Sequence, residues 1–350
     1  MTISTFRIEA GRTRRLGAAL AAAARPVLLA ALLATGLALP AAAQPAQGCT
    51  NRGELDERYC DANRDLLADT PTERNRHKDP ATLVFSFTPV EDPAVYEGAF
   101  ADFLVHLAKV TGKKVRWYAA ESYATQVEAM RSGRLHIAGV ASGATPYAVN
   151  LGGFVPQVAM QKNDGTTGYT LQLITRADSP VKSLADLKGR RVAHVAPSSN
   201  SGDTAPRVLF AGLGVVADRD YTVLYSGKHD NSIMGVLNGD YDAAPVASNV
   251  VVLMRDRGLF KPDALRVVYE SRPFPGAAFG VAHDLTPALQ AKILEAFLGY
   301  PFAGSSLARE FKEYRGFVPI GYERDWADIR AIQKASGATY THESLGKLER

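Results

Sequence analysis

The chain has 350 residues, a formal net charge of +4 and 46% hydrophobic residues. Its first 43 residues carry five arginines (Arg7, Arg12, Arg14, Arg15 and Arg25) and one glutamate (Glu9), which account for all of that charge and leave 35 basic and 35 acidic side chains. A neutral remainder carries no electrostatic footprint for nucleic acid, and beyond those residues no apolar run reaches transmembrane length.

Residues 1–43 read as an export signal. The arginines form a basic start, Val27–Leu39 is an apolar core too short to span a bilayer comfortably, and Ala41-Ala42-Ala43 is a small-residue cleavage site. Cleavage near Ala43 and a periplasmic location are expected. Thr13-Arg14-Arg15-Leu16 only weakly resembles a twin-arginine signal, because Arg25 interrupts the apolar run that should follow. Ala46-Gln47-Gly48 before Cys49 is a poor lipoprotein match.

Residues 44–80 form a polar, irregular extension. It contains the two cysteines of the chain, Cys49 and Cys60, and an exported chain is expected to join them in a disulfide. Asp61-Ala62-Asn63-Arg64-Asp65, followed by Asp69, mimics the opening ligands of a calcium loop. Leu66 stands where that loop needs glycine and Thr72 where it needs an acid, so a solvated acidic turn is the expectation and no metal is assigned.

From Ala81 onward strands and helices alternate. Leu83–Phe87 is a strand, Pro93–Thr111 a helix stopped by Gly112, Val115–Tyr118 a strand, Tyr123–Ser132 a helix and Leu135–Val140 a strand. This β-α-β-α-β order implies mostly parallel sheets flanked by helices. A second unit follows: a short capped helix at Ser183–Gly189, strands at Arg191–Val195, Tyr221–Tyr225, Asp242–Val246 and Leu265–Tyr269, and helices at Thr204–Gly212 and Asn231–Leu237. Extended segments at Thr170–Thr175 and Ala277–Val281 are positioned to carry the chain between two lobes. The expected division is residues 81–175 plus 277–350 for lobe 1 and 176–276 for lobe 2, with a cleft between them as the ligand site.

Ser198-Ser199-Asn200-Ser201-Gly202 stands out, because it falls between a strand and a helix start. Hydroxyls, an amide and the unpaired N–H groups of the helix can meet an oxyanion there, and the helix dipole favours it. An ordinary Ser/Asn helix cap fits the same residues.

Five stretches together carry a family resemblance: Thr88-Pro89-Val90-Glu91-Asp92-Pro93, Met130-Arg131-Ser132-Gly133-Arg134-Leu135, Ser198–Gly202, Ser226-Gly227-Lys228-His229-Asp230-Asn231-Ser232 and Phe274-Pro275-Gly276. In order and spacing the chain resembles the phosphonate/phosphite/phosphate solute-binding proteins of ABC importers, over roughly Ala81–Tyr340. The resemblance implies a two-lobed type II periplasmic-binding-protein fold closing by hinge motion around a small oxyanion, and a membrane ABC permease as partner. It also implies that Ser198, Ser199 and Ser201, with Asn200 among them, hold phosphoryl oxygens. His229 reaches the anion, with charge-assisted bonds if protonated, and Tyr123 closes over it from the opposite lobe. Helix capping by His229 and simple packing by Tyr123 are the bland alternatives.

Two departures narrow the ligand. Relatives that bind aminoalkylphosphonates pair the amine with carboxylates, and the matching positions here are Asn249 and Ala277. An ammonium there would lack its counter-ion, a cost of several kcal/mol, so phosphite, phosphate or a small alkylphosphonate without an amine is expected, with Asn249 at the site. Val140 replaces the family's aromatic on the third strand, with Ser142 nearby as a further donor. No Ser-His-Asp order, H-E-x-x-H motif, P-loop or supported cysteine nucleophile is present. The expectation is a monomeric binding protein without cofactor; an enzyme on the same fold, or a sensory protein for another oxyanion, is the alternative.

Overall fold

The computed structural model describes residues 48–347, so the expected export signal lies outside the described residues. Thr82–Phe87 forms β1, and its alternation of bulky side chains buries Phe85 and Phe87. Helix α1 (Pro93–Thr111) follows because Asp92 accepts the Ala94 N–H, Pro93 fits the first turn, and Gly112 ends the helix in the left-handed region at φ 71°. Its stripe of Tyr96, Phe100, Phe103 and Leu107 packs against the sheet. The first lobe continues through β2 (Lys114–Trp117), α2 (Tyr123–Arg131), β3 (Ile137–Val140), α3 (Thr145–Gly152) and β4 (Phe154–Lys162).

The second lobe contains β5 (Leu171–Arg176), β6 (Arg191–His194), α4 (Ala205–Gly212), β7 (Thr222–Tyr225), α5 (His229–Asn238), β8 (Ala244–Ala247), α6 (Ser248–Asp256) and β9 (Leu265–Glu270). The chain then returns to the first lobe with β10 (Ala278–Ala282), α7 (Pro287–Leu298), α8 (Ser306–Glu310), β11 (Tyr314–Pro319), α9 (Tyr322–Asp325), α10 (Ala327–Ala335) and α11 (His342–Lys347).

The first lobe holds a six-stranded sheet in the order β11-β4-β10-β3-β1-β2. Strand β1 pairs in parallel with β2 and β3, as the βαβ pattern requires, whereas β10 and β11 pair antiparallel to their neighbours. The second lobe has β6 parallel to β7 and β5 antiparallel to β8 and β9. The strands are therefore not mostly parallel, because β5 and β10, which bring the chain into each lobe, and the late strand β11 run against the βαβ strands.

One boundary moves. Leu171–Arg176 is a full member of the second sheet, so the crossing lies at residues 163–170 instead of at 175. Where the two crossing segments meet, Tyr169 and Phe274 form an antiparallel bridge.

The N-terminal extension is irregular, as its composition suggests, and is fastened to the first lobe. Cys49 and Cys60 form a disulfide, with Cα atoms 5.5 Å apart. Tyr59 Oη donates to Leu151 O at 3.2 Å and Arg58 donates to the same carbonyl at 2.8 Å. Within the acidic turn Asp61 accepts the N–H groups of Asp65 and Leu66, and Asp69 accepts that of Ala62.

Candidate functional site

In βα units the carboxyl ends of strands and the amino ends of helices share one edge. Here those edges face each other across the interlobe cleft. Tyr123 opens α2, His229 opens α5 and Asn249 is the second residue of α6. The serine run starts a π-type turn, Asn200–Thr204, that continues directly into α4. Four helix amino termini thus converge, and each dipole favours an anion by roughly 0.3–1 kcal/mol.

They enclose a cavity of about 60 Å³. A single water needs roughly 10–15 Å³ on this measure, so the space suits a solute of a few heavy atoms. Tyr123, Ser142, Ser199, Asn200, Ser201, His229 and Asn249 all line it. Ser198 is not among the lining residues; its hydroxyl is buried without a partner. No Asp, Glu, Lys or Arg lines the cavity.

The serine run is fixed from behind. Ser199 Oγ accepts the Gly202 N–H at 3.1 Å, which leaves the N–H groups of Asn200 and Ser201 as the first of the helix without intrahelical acceptors. Gly202 is needed for this seat, because a Cβ there would collide with the Val195 side chain of the strand before it. Asp203, buried in the first turn, is held by His194 Nδ1 at 2.8 Å, Arg207 Nε at 2.9 Å and Tyr225 Oη at 3.0 Å.

His229 is buried, and its Nδ1 accepts the Ala247 N–H at 3.3 Å. The ring is therefore neutral, with its proton on Nε2, which lies 3.4 Å from Ser199 Oγ at the cavity wall. Burial lowers the His229 pKa to about 3. The charge-assisted bonds open to a protonated histidine are therefore not made, because a second proton would break the Ala247 bond. Every donor is then neutral.

Tyr123 reaches Ser199 by a hydrogen bond from the other lobe. Burial raises its pKa above the ordinary phenol range, so it remains a donor. His229 N donates to Val90 O at 3.0 Å, a second contact across the cleft.

Two of the lining residues that were not anticipated carry hydroxyls with distinct surroundings. Tyr169, on the first crossing segment, accepts from Asn200 Nδ2 at 3.2 Å and shares a 2.8 Å hydrogen bond with Ser142 Oγ. It supplies the aromatic hydroxyl that Val140 does not, and no sequence pattern marks it, because it is contributed by an extended connector. Thr88 lines the cavity with its hydroxyl buried and unpartnered. Thr88 opens the first of the stretches that carry the family resemblance, which assigned it no role at the site.

Apolar side chains form another part of the lining: Phe87, Val90, Met160, Leu253, Phe279 and Phe311. The nearest buried carboxylate, Glu91, lies behind this wall and is committed elsewhere. It receives hydrogen bonds from Tyr96 Oη and from Arg257 at 2.7 Å, and burial raises its pKa against both. Arg257 comes from the end of α6 and also bonds Glu310, tying the second lobe to the first.

The model of the phosphonate-binding periplasmic substrate-binding proteins of ABC transporters matches residues 85–326. The chain belongs to that family. A phosphate-import protein, PhnD, of Mycolicibacterium smegmatis is 30% identical over 278 residues, covering 75% of this chain and 85% of the relative. The phosphonates-binding periplasmic protein of Escherichia coli is 25% identical over 225 residues, covering 62% of this chain and 66% of that one. Among solved structures, a binding-protein component of an ABC phosphonate transporter from Pseudomonas aeruginosa superposes with a TM-score of 0.65 at 21% identity, over 77% of this chain and 93% of that chain. PhnD1 of Prochlorococcus marinus in complex with methylphosphonate gives 0.65 at 16% identity, over 74% and 99%. The fold is accordingly the two-lobed type II periplasmic-binding-protein fold, and the family is that of the periplasmic substrate-binding components of phosphonate ABC transporters.

Proposed function

We propose that this protein captures a tetrahedral phosphorus oxyanion without an amine (phosphite, phosphate or a short alkylphosphonate) between its lobes and delivers it to the permease. The observation that carries the reading is the cavity itself: helix amino termini and hydroxyls converge on it, and no ionisable carboxylate or cation lines it. Ser199, Ser201, the Asn200 and Ser201 N–H groups, His229 Nε2 and Tyr123 serve as donors, with Thr88, Ser142 and Asn249 around them. The apolar wall takes the substituent on phosphorus. Asn249 and Ala277 at the cavity edge offer no counter-ion to an ammonium.

Both walls of the cavity come from one chain, so the protein acts as a monomer, and residues 1–43 direct its export. Residues 163–170 and 271–277 are the hinge about which the lobes part. The deciding measurement is calorimetry on the protein lacking residues 1–43, with phosphite, phosphate, methylphosphonate and 2-aminoethylphosphonate. At least one amine-free ligand binds, and the aminated one binds about a hundredfold more weakly. Tight binding of 2-aminoethylphosphonate, or no binding of any of the four, overturns the reading.

A further inference from the structure

The cavity contains acceptors as well as donors. Asn200 lines the cavity and is 2% exposed, and the hydrogen bond from its Nδ2 to Tyr169 Oη sets the amide with Oδ1 as its acceptor end. That oxygen is buried without a partner, and so is Asn249 Oδ1 on α6. A fully deprotonated oxyanion would present only lone pairs to these two oxygens. Leaving a buried acceptor unpaired costs about 1–3 kcal/mol, and opposing it with an anionic oxygen costs more. A ligand carrying one P–OH group satisfies one of them, and a fully deprotonated one satisfies neither.

From this we infer that the site takes its ligand as the singly charged, monoprotonated phosphorus oxyanion, with one of the two asparagine oxygens, Asn200 Oδ1 or Asn249 Oδ1, receiving the P–OH proton. The inference rests on the phosphorus-oxyanion reading above. It assigns the two asparagines the task of separating phosphonates from sulfonates of the same shape, since a sulfonate at neutral pH has three bare oxygens and no hydroxyl.

The groups around the acceptors leave the ligand as the one that titrates near neutrality. His229 on α5, Tyr123 on α2, Tyr96 on α1, Tyr314 on β11 and Tyr169 on the crossing segment face the cavity. Burial lowers the first to about 3 and raises Tyr96, Tyr123 and Tyr314 above their usual range. Behind them stand Glu91, paired with Arg257, and Asp203, paired with Arg207. Asp230 follows His229 in the first turn of α5, near enough to push the Tyr123 and Glu91 pKa values upward.

The test is calorimetry of the protein with methylphosphonate and with methanesulfonate, from one pH unit below to two units above the second ionisation of methylphosphonate. Methylphosphonate affinity is expected to fall about tenfold per pH unit above that ionisation, the slope of one linked proton. Methanesulfonate is expected to bind at least about a hundredfold more weakly throughout, because a site built for a ligand hydroxyl rejects the analogue that lacks it. Asn249→Leu should narrow that ratio at least about tenfold, whereas a purely structural asparagine would weaken both ligands alike. Affinity for methylphosphonate that stays flat across the range, or methanesulfonate within tenfold of it, overturns the inference and leaves the phosphorus-oxyanion reading standing. Failure of every phosphorus oxyanion to bind overturns both.

Discussion

Three serines lie within four positions of one another and occupy different environments. Ser199 and Ser201 line the cavity and Ser198 does not, although all three are buried. Ser199→Ala and Ser201→Ala should each weaken ligand binding by roughly 1–3 kcal/mol, as for a lost donor to a charged group. Ser198→Ala removes a hydroxyl that has no partner and should leave affinity unchanged, with stability equal or slightly higher; calorimetry and thermal unfolding read the two effects. His229 makes a separate prediction about stability. Its folded pKa of about 3 lies below its ordinary 6.5, so the unfolded chain binds the extra proton between those values. Stability of the ligand-free protein should therefore climb as pH rises from about 4 to 6.5 and level off above it. Buried His283, lowered to about 4, adds to the same slope. His229→Gln should flatten part of it in denaturant titrations at pH 4, 5, 6 and 7.

At the scale of elements, the loop after β3 lies directly on the serine-run helix. Gln333 donates to Gly143 O at 2.6 Å and Trp326 to Ser142 O at 3.0 Å, so α10 and the residue before it hold this loop rigidly. A Cβ on Gly143 would stand 2.6 Å from Asn200 N and closer still to Ser198 O, both on the other lobe. Gly143→Ala should leave the melting temperature nearly unchanged yet lower ligand affinity by tenfold or more, because the added methyl meets the second lobe only when the cleft is shut. The elements that the sequence concealed have physical reasons for it. Every residue of α3 is buried, so that helix carries no amphipathic stripe to read. Helix α6 begins Ser-Asn-Val-Val-Val, a β-branched run that resembles a strand, yet it delivers Asn249 and Leu253 to the cavity.

For the whole molecule, closure depends on few cross-lobe contacts, and the Arg257 network is the most costly of them to break. Glu91 is 2% exposed and Arg257 reaches it from the other lobe at 2.7 Å. Removing one partner of such a pair strands a buried charge, at roughly 3–5 kcal/mol. Arg257→Ala should therefore favour the open form: small-angle scattering with saturating ligand should show a larger radius of gyration than wild type, and affinity should fall. Arg257→Ala with Glu91→Gln should recover part of the loss, since no bare carboxylate is left in the interface. A compact, tightly binding single variant would show that the network does not hold the lobes together.

The sequence by itself determined the alternation of strands and helices, the fusion of two such units, the disulfide-bearing extension, and the serine run as a helix start rich in donors. Those features depend on neighbours a few residues apart, through periodicity, capping and turn chemistry. It also marked seven of the cavity-lining residues through a family resemblance, and the absence of carboxylates among them. Only the tertiary structure decided which strand belongs to which sheet, that His229 is neutral, that Ser198 faces away from the cavity, and that Tyr169 and Thr88 join it. Each of these turns on a partner far along the chain. Ala247 fixes the histidine tautomer across 18 residues, Asn200 meets Tyr169 across 31, and β5 pairs with β9 across nearly a hundred. Protonation state and hydrogen-bond satisfaction belong to the enclosed site, and no local pattern encodes an enclosure.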